Sequence, residues 1–308
     1  MALEATNSID VTDSAVFIPE IWSIEILAAY KQNLVMAQLV SELNHVGKKG
    51  DTIHIPKPTR GVAASKAANT VVNVQAFSST EEVVLIDKHY HYARLHEDIV
   101  GLQALSSLMP FLTDDAGYAL AKQVDTDIGA LAATWGGDTG YGAAVIGSDG
   151  TTAYDEAASS NAAALTDAAI RNVIQKFDDG DVPTRNRVFV MPPLTKNTLL
   201  GTARFTEQAF TGEVGAGNSI RNGRVGDAYG VEFFMSSNVP SDEDARAVLF
   251  FQKDALVLAK QQNVRVQKQY KLEYLADLMV ADTVYGVKTV RGSLSGDAGV
   301  GCQAIMVK

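Results

Sequence analysis

Three of the five histidines of this chain lie within eight residues of one another, at positions 89, 91 and 96, and two acids, Glu97 and Asp98, follow them directly. Imidazole nitrogen and carboxylate oxygen are the common ligands of zinc and its neighbours, so the cluster is the first place to look for chemistry. On an extended strand His89 and His91 project from one face, as the His-x-His ligands of cupin-like barrels do. In that pattern a glutamate comes three or four residues later. Here the next candidate position is His96, the glutamate follows it, and Val83 and Ala104 stand where flanking glycines belong. The helical pattern His-Glu-x-x-His also fails, because Val100 takes the place of the second histidine. Half-exposed strand histidines are therefore the expectation, with a metal-dependent enzyme using His89, His91 and His96 as the remote alternative.

Other chemistries find less support. The run Gly212-Glu-Val-Gly215-Ala-Gly217 lacks both the Gly-x-Gly-x-x-Gly spacing and the Lys-Ser/Thr that follows a phosphate-binding loop. No Gly-x-Ser-x-Gly elbow is present, and Cys302, the only cysteine, has no histidine near it in sequence. A single cysteine permits no intrachain disulfide and reads as a buried small hydrophobe. Acid pairs such as Asp125 with Asp127, or Asp178 with Asp179, fall on expected helix surfaces or ends, where solvated charge is the ordinary outcome. The expectation is no enzyme, no cofactor and no metal.

The elements that must carry these residues are mixed helices and strands. The chain has 308 residues, 46% hydrophobic and 20% charged, enough for a substantial core. Its N-terminus is acidic and polar where a signal peptide would be basic and then apolar, and no apolar run is long enough for a membrane span. A net charge of -10 argues against gripping phosphate backbones.

A helix is expected from Pro19 to about Asn44, ended by Gly47. Residues 50–56 form a strand with Ile53 and Ile55 on one face, and Val71 to Phe77 a second extended piece. From Glu81 to Leu95 the side chains alternate. Val83, Leu85, Asp87, His89, His91 and Ala93 take one side, and Val84, Ile86, Lys88, Tyr90, Tyr92 and Arg94 the other. At ~3.3 Å per residue this limb reaches roughly 45 to 50 Å. A two-stranded ribbon so long is marginal in water unless another surface supports it.

After Pro110, Leu112, Ala116, Leu120, Val124, Ile128 and Leu131 recur every three or four residues, which predicts a helix over about 111–135. Residues 136–161 read as surface loop. Thr166 or Asp167 caps a helix that carries Ile170, Val173, Ile174 and Phe177 inward to Gly180. Strands are expected at Arg187 to Met191, Val231 to Met235, Ala247 to Phe251, Val264 to Tyr270, Gly286 to Arg291 and Gln303 to Lys308. A short helix starts at Leu194, and Asp254 to Leu258 forms a turn or short helix. Helices mixed with non-alternating strands indicate an α+β fold.

Several stretches, in order, resemble one family. They are Phe17-Ile-Pro-Glu-Ile-Trp22-Ser23, then Asn33-Leu-Val-Met-Ala-Gln-Leu-Val40, then Lys49-Gly-Asp-Thr-Ile-His-Ile-Pro56, and the string NGRVGDAYGVEFFMSSNVP from Asn222 to Pro240. In wording and spacing they are similar to the major capsid proteins of tailed bacteriophages, which share the Hong Kong 97-type (HK97-like) fold. The resemblance implies an N-terminal arm over 1–48 and an extended E-loop hairpin over 49–96. It implies a peripheral domain over 97–184 with a spine helix at about 111–135, an axial domain over 185–285, and a C-terminal strand, 286–308, returning to the peripheral domain. The implied function is self-assembly, as pentamers and hexamers, into an icosahedral shell around double-stranded DNA. Implied partners are further copies of the chain, a scaffolding protein and portal during assembly and a decoration protein, with no membrane and no sequence-specific DNA binding. The implied location is the virion capsid, assembled in the host cytoplasm. Trp22, Lys57, Arg60, Lys66, Glu81 and Glu82 are the expected intersubunit contacts. An encapsulin-like nanocompartment shell shares the fold and is the alternative.

Overall fold

The computed structural model describes residues 34–47, 49–58, 61–98, 108–135, 145–154, 161–202, 227–242, 244–291 and 301–308. Trp22, Arg60, Gly223, Gly226, most of the expected N-terminal helix and the loop from Thr211 to Gly223 lie outside the described residues.

The strands form three sheets. Two long partners, β11 (Leu256–Lys271) and β12 (Ala276–Thr289), make the spine of a four-stranded sheet, flanked by β1 (Ser41–Asn44) and β4 (Lys88–Glu97) in the order β1-β11-β12-β4. A second sheet orders β5 (Val145–Ile146), β13 (Cys302–Val307), β10 (Ala245–Gln252), β6 (Arg187–Met191), β8 (Val231–Met235) and β7 (Asp227–Ala228), with β9 (Ser241–Asp242) paired to β10. The third is a separate hairpin of β2 (Thr52–Pro58) and β3 (Ser79–Leu85).

One helix joins these parts. α2 (Leu108–Ala130), continued by a 3-10 turn over Leu131–Thr134, lays Leu112, Ala116 and Leu120 against Tyr90, Tyr92, Met279 and Ala281 of the four-stranded sheet. One turn further on, Val124, Ile128, Leu131 and Ala132 join the main core. That core draws on both large sheets and on the short helix α1 (Met36–Leu39). Of the residues expected to form the apolar stripe of this helix, Ala116, Leu120 and Ile128 are buried and Leu112, Val124 and Leu131 are half-buried, as one face of a 3.6-residue repeat packed on the body should be. On the second sheet, α3 (Asp167–Asp179) and α4 (Pro193–Leu200) cover a separate core of Ile170, Val173, Phe177, Phe189, Leu199 and Phe250. α3 starts where expected, with the Thr166 hydroxyl accepting from the Ala169 N–H at 3.2 Å, and its last residue is followed by Gly180. Cys302 is fully buried, and burial pushes its thiol pKa up.

Several expectations need correction. Residues 41–44 are strand, not the end of a helix: Val40 is extended, and Ser41 to Asn44 run parallel to Val257 to Lys260. Long-range pairing outweighs local helix preference here. Val71 to Phe77 carries no ladder. The return limb is two strands, not one. β3 pairs with β2, the ladder stops at Ile86 and Asp87, and β4 continues in another sheet beside β12. Val145 and Ile146 are a buried strand within the expected surface loop. Only Val231 of the expected buried strand 231–235 is itself buried, since β8 lies towards the sheet edge. Strand β12 begins ten residues before Gly286, where no strand was expected. The terminal strand β13 pairs with β10 and β5, in the sheet of β6 and β8.

Asp125 and Asp127 depart most from expectation, for both are buried. The Ala37 N–H donates to Asp125 Oδ1 at 3.1 Å, so this carboxylate of α2 caps α1 in place of a local side chain. Burial raises its pKa, and the backbone N–H groups of Ala37, Val35 and Met36 offset that in part. Asp127 accepts from the Tyr285 hydroxyl at 2.7 Å and from Gln123 Nε2 at 3.0 Å, with Lys88 Nζ 3.4 Å away. Burial and Asp127 together push the Tyr285 hydroxyl upward. These polar contacts lock the helix to the sheet at one height.

Candidate functional site

The histidines do not converge. His89 and His91 lie on the exposed face of β4, while His96 points from the opposite face, as an odd and an even position must. His89 Nε2 stands 3.4 Å from Asp282 Oδ2, whose carboxylate also accepts from Arg265 Nε at 3.1 Å, Arg265 Nη2 at 2.9 Å and Gln262 Nε2 at 2.7 Å. Arg265 above all, with Gln262 and His89, holds the Asp282 carboxyl down at about 2. Opposite it, β11 carries register shifts between Lys260 and Gln262 and between Gln262 and Arg265. Asp282 therefore gathers the side chains of a bulged strand. No group of three or more possible metal ligands occurs among the described residues.

What stands out instead is the hairpin. Its two strands pair from Thr52 with Leu85 to Pro58 with Ser79. Beyond them, residues 61–78 belong to a long connection that Gln75 ties across: the Val62 N–H donates to Gln75 Oε1 at 2.9 Å, and Gln75 Nε2 donates back to the Val62 carbonyl. Five large apolar side chains of this connection, Val62, Val71, Val72, Val74 and Phe77, face solvent, with Val71 at 96% and Phe77 at 78% exposure. A single exposed valine needs no explanation, but five on one projecting loop do.

The residues expected at intersubunit contacts divide. Lys57 and Lys66 are exposed on the outer hairpin and loop. Glu81 pairs across the hairpin with His54 Nδ1 at 3.0 Å. Glu82 is at the root, where Lys288 Nζ donates to its Oε2 at 2.9 Å. Sequence reasoning missed Lys288, Gly286 and Gln261, which meet the hairpin from the sheet beneath. The isolated glycine in Val284-Tyr-Gly-Val-Lys288 was a usable signal, since glycine inside a strand often marks a close backbone approach. A second exposed apolar group, Leu272, Tyr274 and Leu275, caps the turn between β11 and β12.

The phage capsid protein family matches residues 101–297 of this chain. Among solved structures, that of Mycobacterium phage Che8 is 23% identical over 94% of this chain and 97% of its own, with a TM-score of 0.74. The capsid structure of the cyanophage P-SCSP1u is 17% identical over 99% and 96%, with a TM-score of 0.73. The capsid of Ralstonia phage GP4 is 15% identical over 94% of each, with a TM-score of 0.68. No curated protein matches. The chain belongs to the phage capsid protein family, and its fold is the α+β, HK97-like fold of those shells. It is a major capsid protein, a structural subunit of the shell.

Proposed function

We propose that copies of this chain close into an icosahedral shell of pentamers and hexamers around the double-stranded DNA of a tailed bacteriophage, each subunit laying its β2–β3 hairpin across a neighbour. The observation that carries this reading is the projecting loop with Val62, Val71, Val72, Val74 and Phe77 in water. A neighbour's surface gives that loop the burial its own subunit withholds, worth about 1.5 to 3 kcal/mol for each large side chain fully covered. Lys57, Lys66 and, outside the described residues, Arg60 and Trp22 are proposed contacts of the same surface. Ion pairs of Lys57, Arg60 and Lys66 with acids of a neighbour are individually weak, about 0 to 1 kcal/mol, and gain weight only by repetition around the shell.

In this reading α2 and the four-stranded sheet form the peripheral part, and the seven-stranded sheet with α3 and α4 the axial part. The boundaries drawn from the sequence shift accordingly, with 256–289 in the first and 302–307 in the second. A scaffolding protein, a portal and a decoration protein are proposed partners, assembly is proposed in the host cytoplasm, and the shell is proposed to act without catalysis. The net charge of -10 suits a wall that encloses DNA without adhering to it. The family match favours this reading over a cellular nanocompartment.

The test is a double substitution, Val74→Ser with Phe77→Ser, examined by sedimentation and negative-stain microscopy. The expected result is a folded protein that assembles only at concentrations at least tenfold higher, since each lost contact recurs in every subunit. Shells forming at the original concentration would overturn the contact.

A further inference from the structure

The hairpin leaves the body over one strand, and that strand is shaped for the crossing. Along β12 the odd-numbered Met279 and Ala281 face α2, whereas the even-numbered Val284, with Val290 just past the strand's end, belongs to a small core with Val84 and Ile86 at the hairpin root. Gly286 is between them. A Cβ added there would overlap the carbonyl oxygen of Leu85 and stand 3.0 Å from Ile86 Cα, both backbone atoms that cannot swing aside. The next residue on that face, Lys288, donates to Glu82 Oε2 and to the Val83 carbonyl, both at 2.9 Å.

The other strand is held too. Gln261 lies at the register shift of β11, and its Nε2 donates to the Gly50 carbonyl at 2.9 Å, just before β2 begins. A bulge of this kind re-aims a side chain out of the ladder. Between the two anchors the Ile86 N–H donates to the Asp51 carbonyl at 2.8 Å and closes the root. Each limb of the hairpin is thus tied to a different strand of the sheet below, and a ribbon tied at both limbs cannot swivel about a single bond.

We infer that this crossing is a clamp that sets the direction of the hairpin, and that Gly286, Lys288 and Gln261 are positioning residues for assembly although none belongs to the exposed loop. The inference rests on the reading of the hairpin as an intersubunit contact. A loop that must meet a neighbour at a fixed angle loses affinity when its root rotates, because the fraction of time spent in the competent orientation falls. A merely structural role would change the stability of the body and leave the hairpin's aim unaffected.

The variants are Lys288→Met, which keeps the aliphatic stem, Gln261→Ala, and Gly286→Ala, with Lys288→Arg as the conservative control. Thermal unfolding reads the body, hydrogen exchange reads the amides of 52–55, 57 and 79–85, and light scattering reads the concentration at which shells appear. For Lys288→Met and Gln261→Ala the expected result is an unchanged body, hairpin exchange roughly tenfold faster, and an assembly threshold raised roughly tenfold. Lys288→Arg restores both, and Gly286→Ala gives the larger effect. Unchanged hairpin exchange in Lys288→Met and Gln261→Ala overturns the clamp, and so does faster exchange with an unaltered threshold. Val74→Ser with Phe77→Ser separates the two ideas. If that pair assembles like the parent, the contact reading fails, while the exchange data still judge the clamp.

Discussion

Asp282 shows how one residue can be plain in sequence and still have its role hidden. The alternation of β4 sets His89 and His91 on one face, and that face is exposed. What no local pattern revealed is that His89 faces a carboxylate far along the chain, brought beside it by the register in which Asp282 opposes His91. The same holds for Asp125 and Asp127. Their place on a helix follows from the sequence but their burial does not, because α1 and Tyr285, which they meet, arrive from distant segments. Asp282 also gives a pH dependence with a defined sign. Its folded pKa is lowered from 3.8 to about 2, so the stability it contributes is complete above the unfolded value and is lost as pH falls through the folded one. Chemical denaturation of the parent should therefore show stability declining between those two values. In Asp282→Asn that part of the decline should be missing and stability at neutral pH lower. An identical acid limb in the two proteins would remove Asp282 from this role.

Elements were legible in proportion to how far local pattern dictates them. The 3.6-residue stripe of α2 packs on the body, the Thr166 cap of α3 is local, and the apolar runs of β6 and β10 are buried on both faces between two cores, so pattern and structure coincide. Strand β1 and the break at Ile86 and Asp87 obey partners instead. Four residues of β1 pair with β11, and a limb that alternates without interruption changes sheet because Leu85 crosses Gly286. The packing of α2 on the four-stranded sheet is tested by Leu120→Ala, which opens a cavity between the helix and Met279 of β12. A loss of about 2 to 5 kcal/mol is expected from denaturant titration. A loss below about 1 kcal/mol would mean that the helix is not the element on which the four-stranded sheet depends.

At the scale of the whole molecule the parts are unequal in a consistent way. Two large sheets and α2 share a continuous core, while residues 61–81 of the hairpin are exposed throughout. A monomer gains little by exposing five large apolar side chains on a slender projection, whereas a shell that repeats one contact many times gains each time. The acid-rich composition and the single buried cysteine agree with a wall whose cohesion comes from packing between subunits. The most direct measurement is electron microscopy of particles assembled from the purified chain, with the map followed along residues 52–85. The account predicts closed shells in which this hairpin lies on an adjacent subunit with Val74 and Phe77 covered. A chain that stays monomeric at high concentration, with the hairpin ordered against its own body, would contradict it.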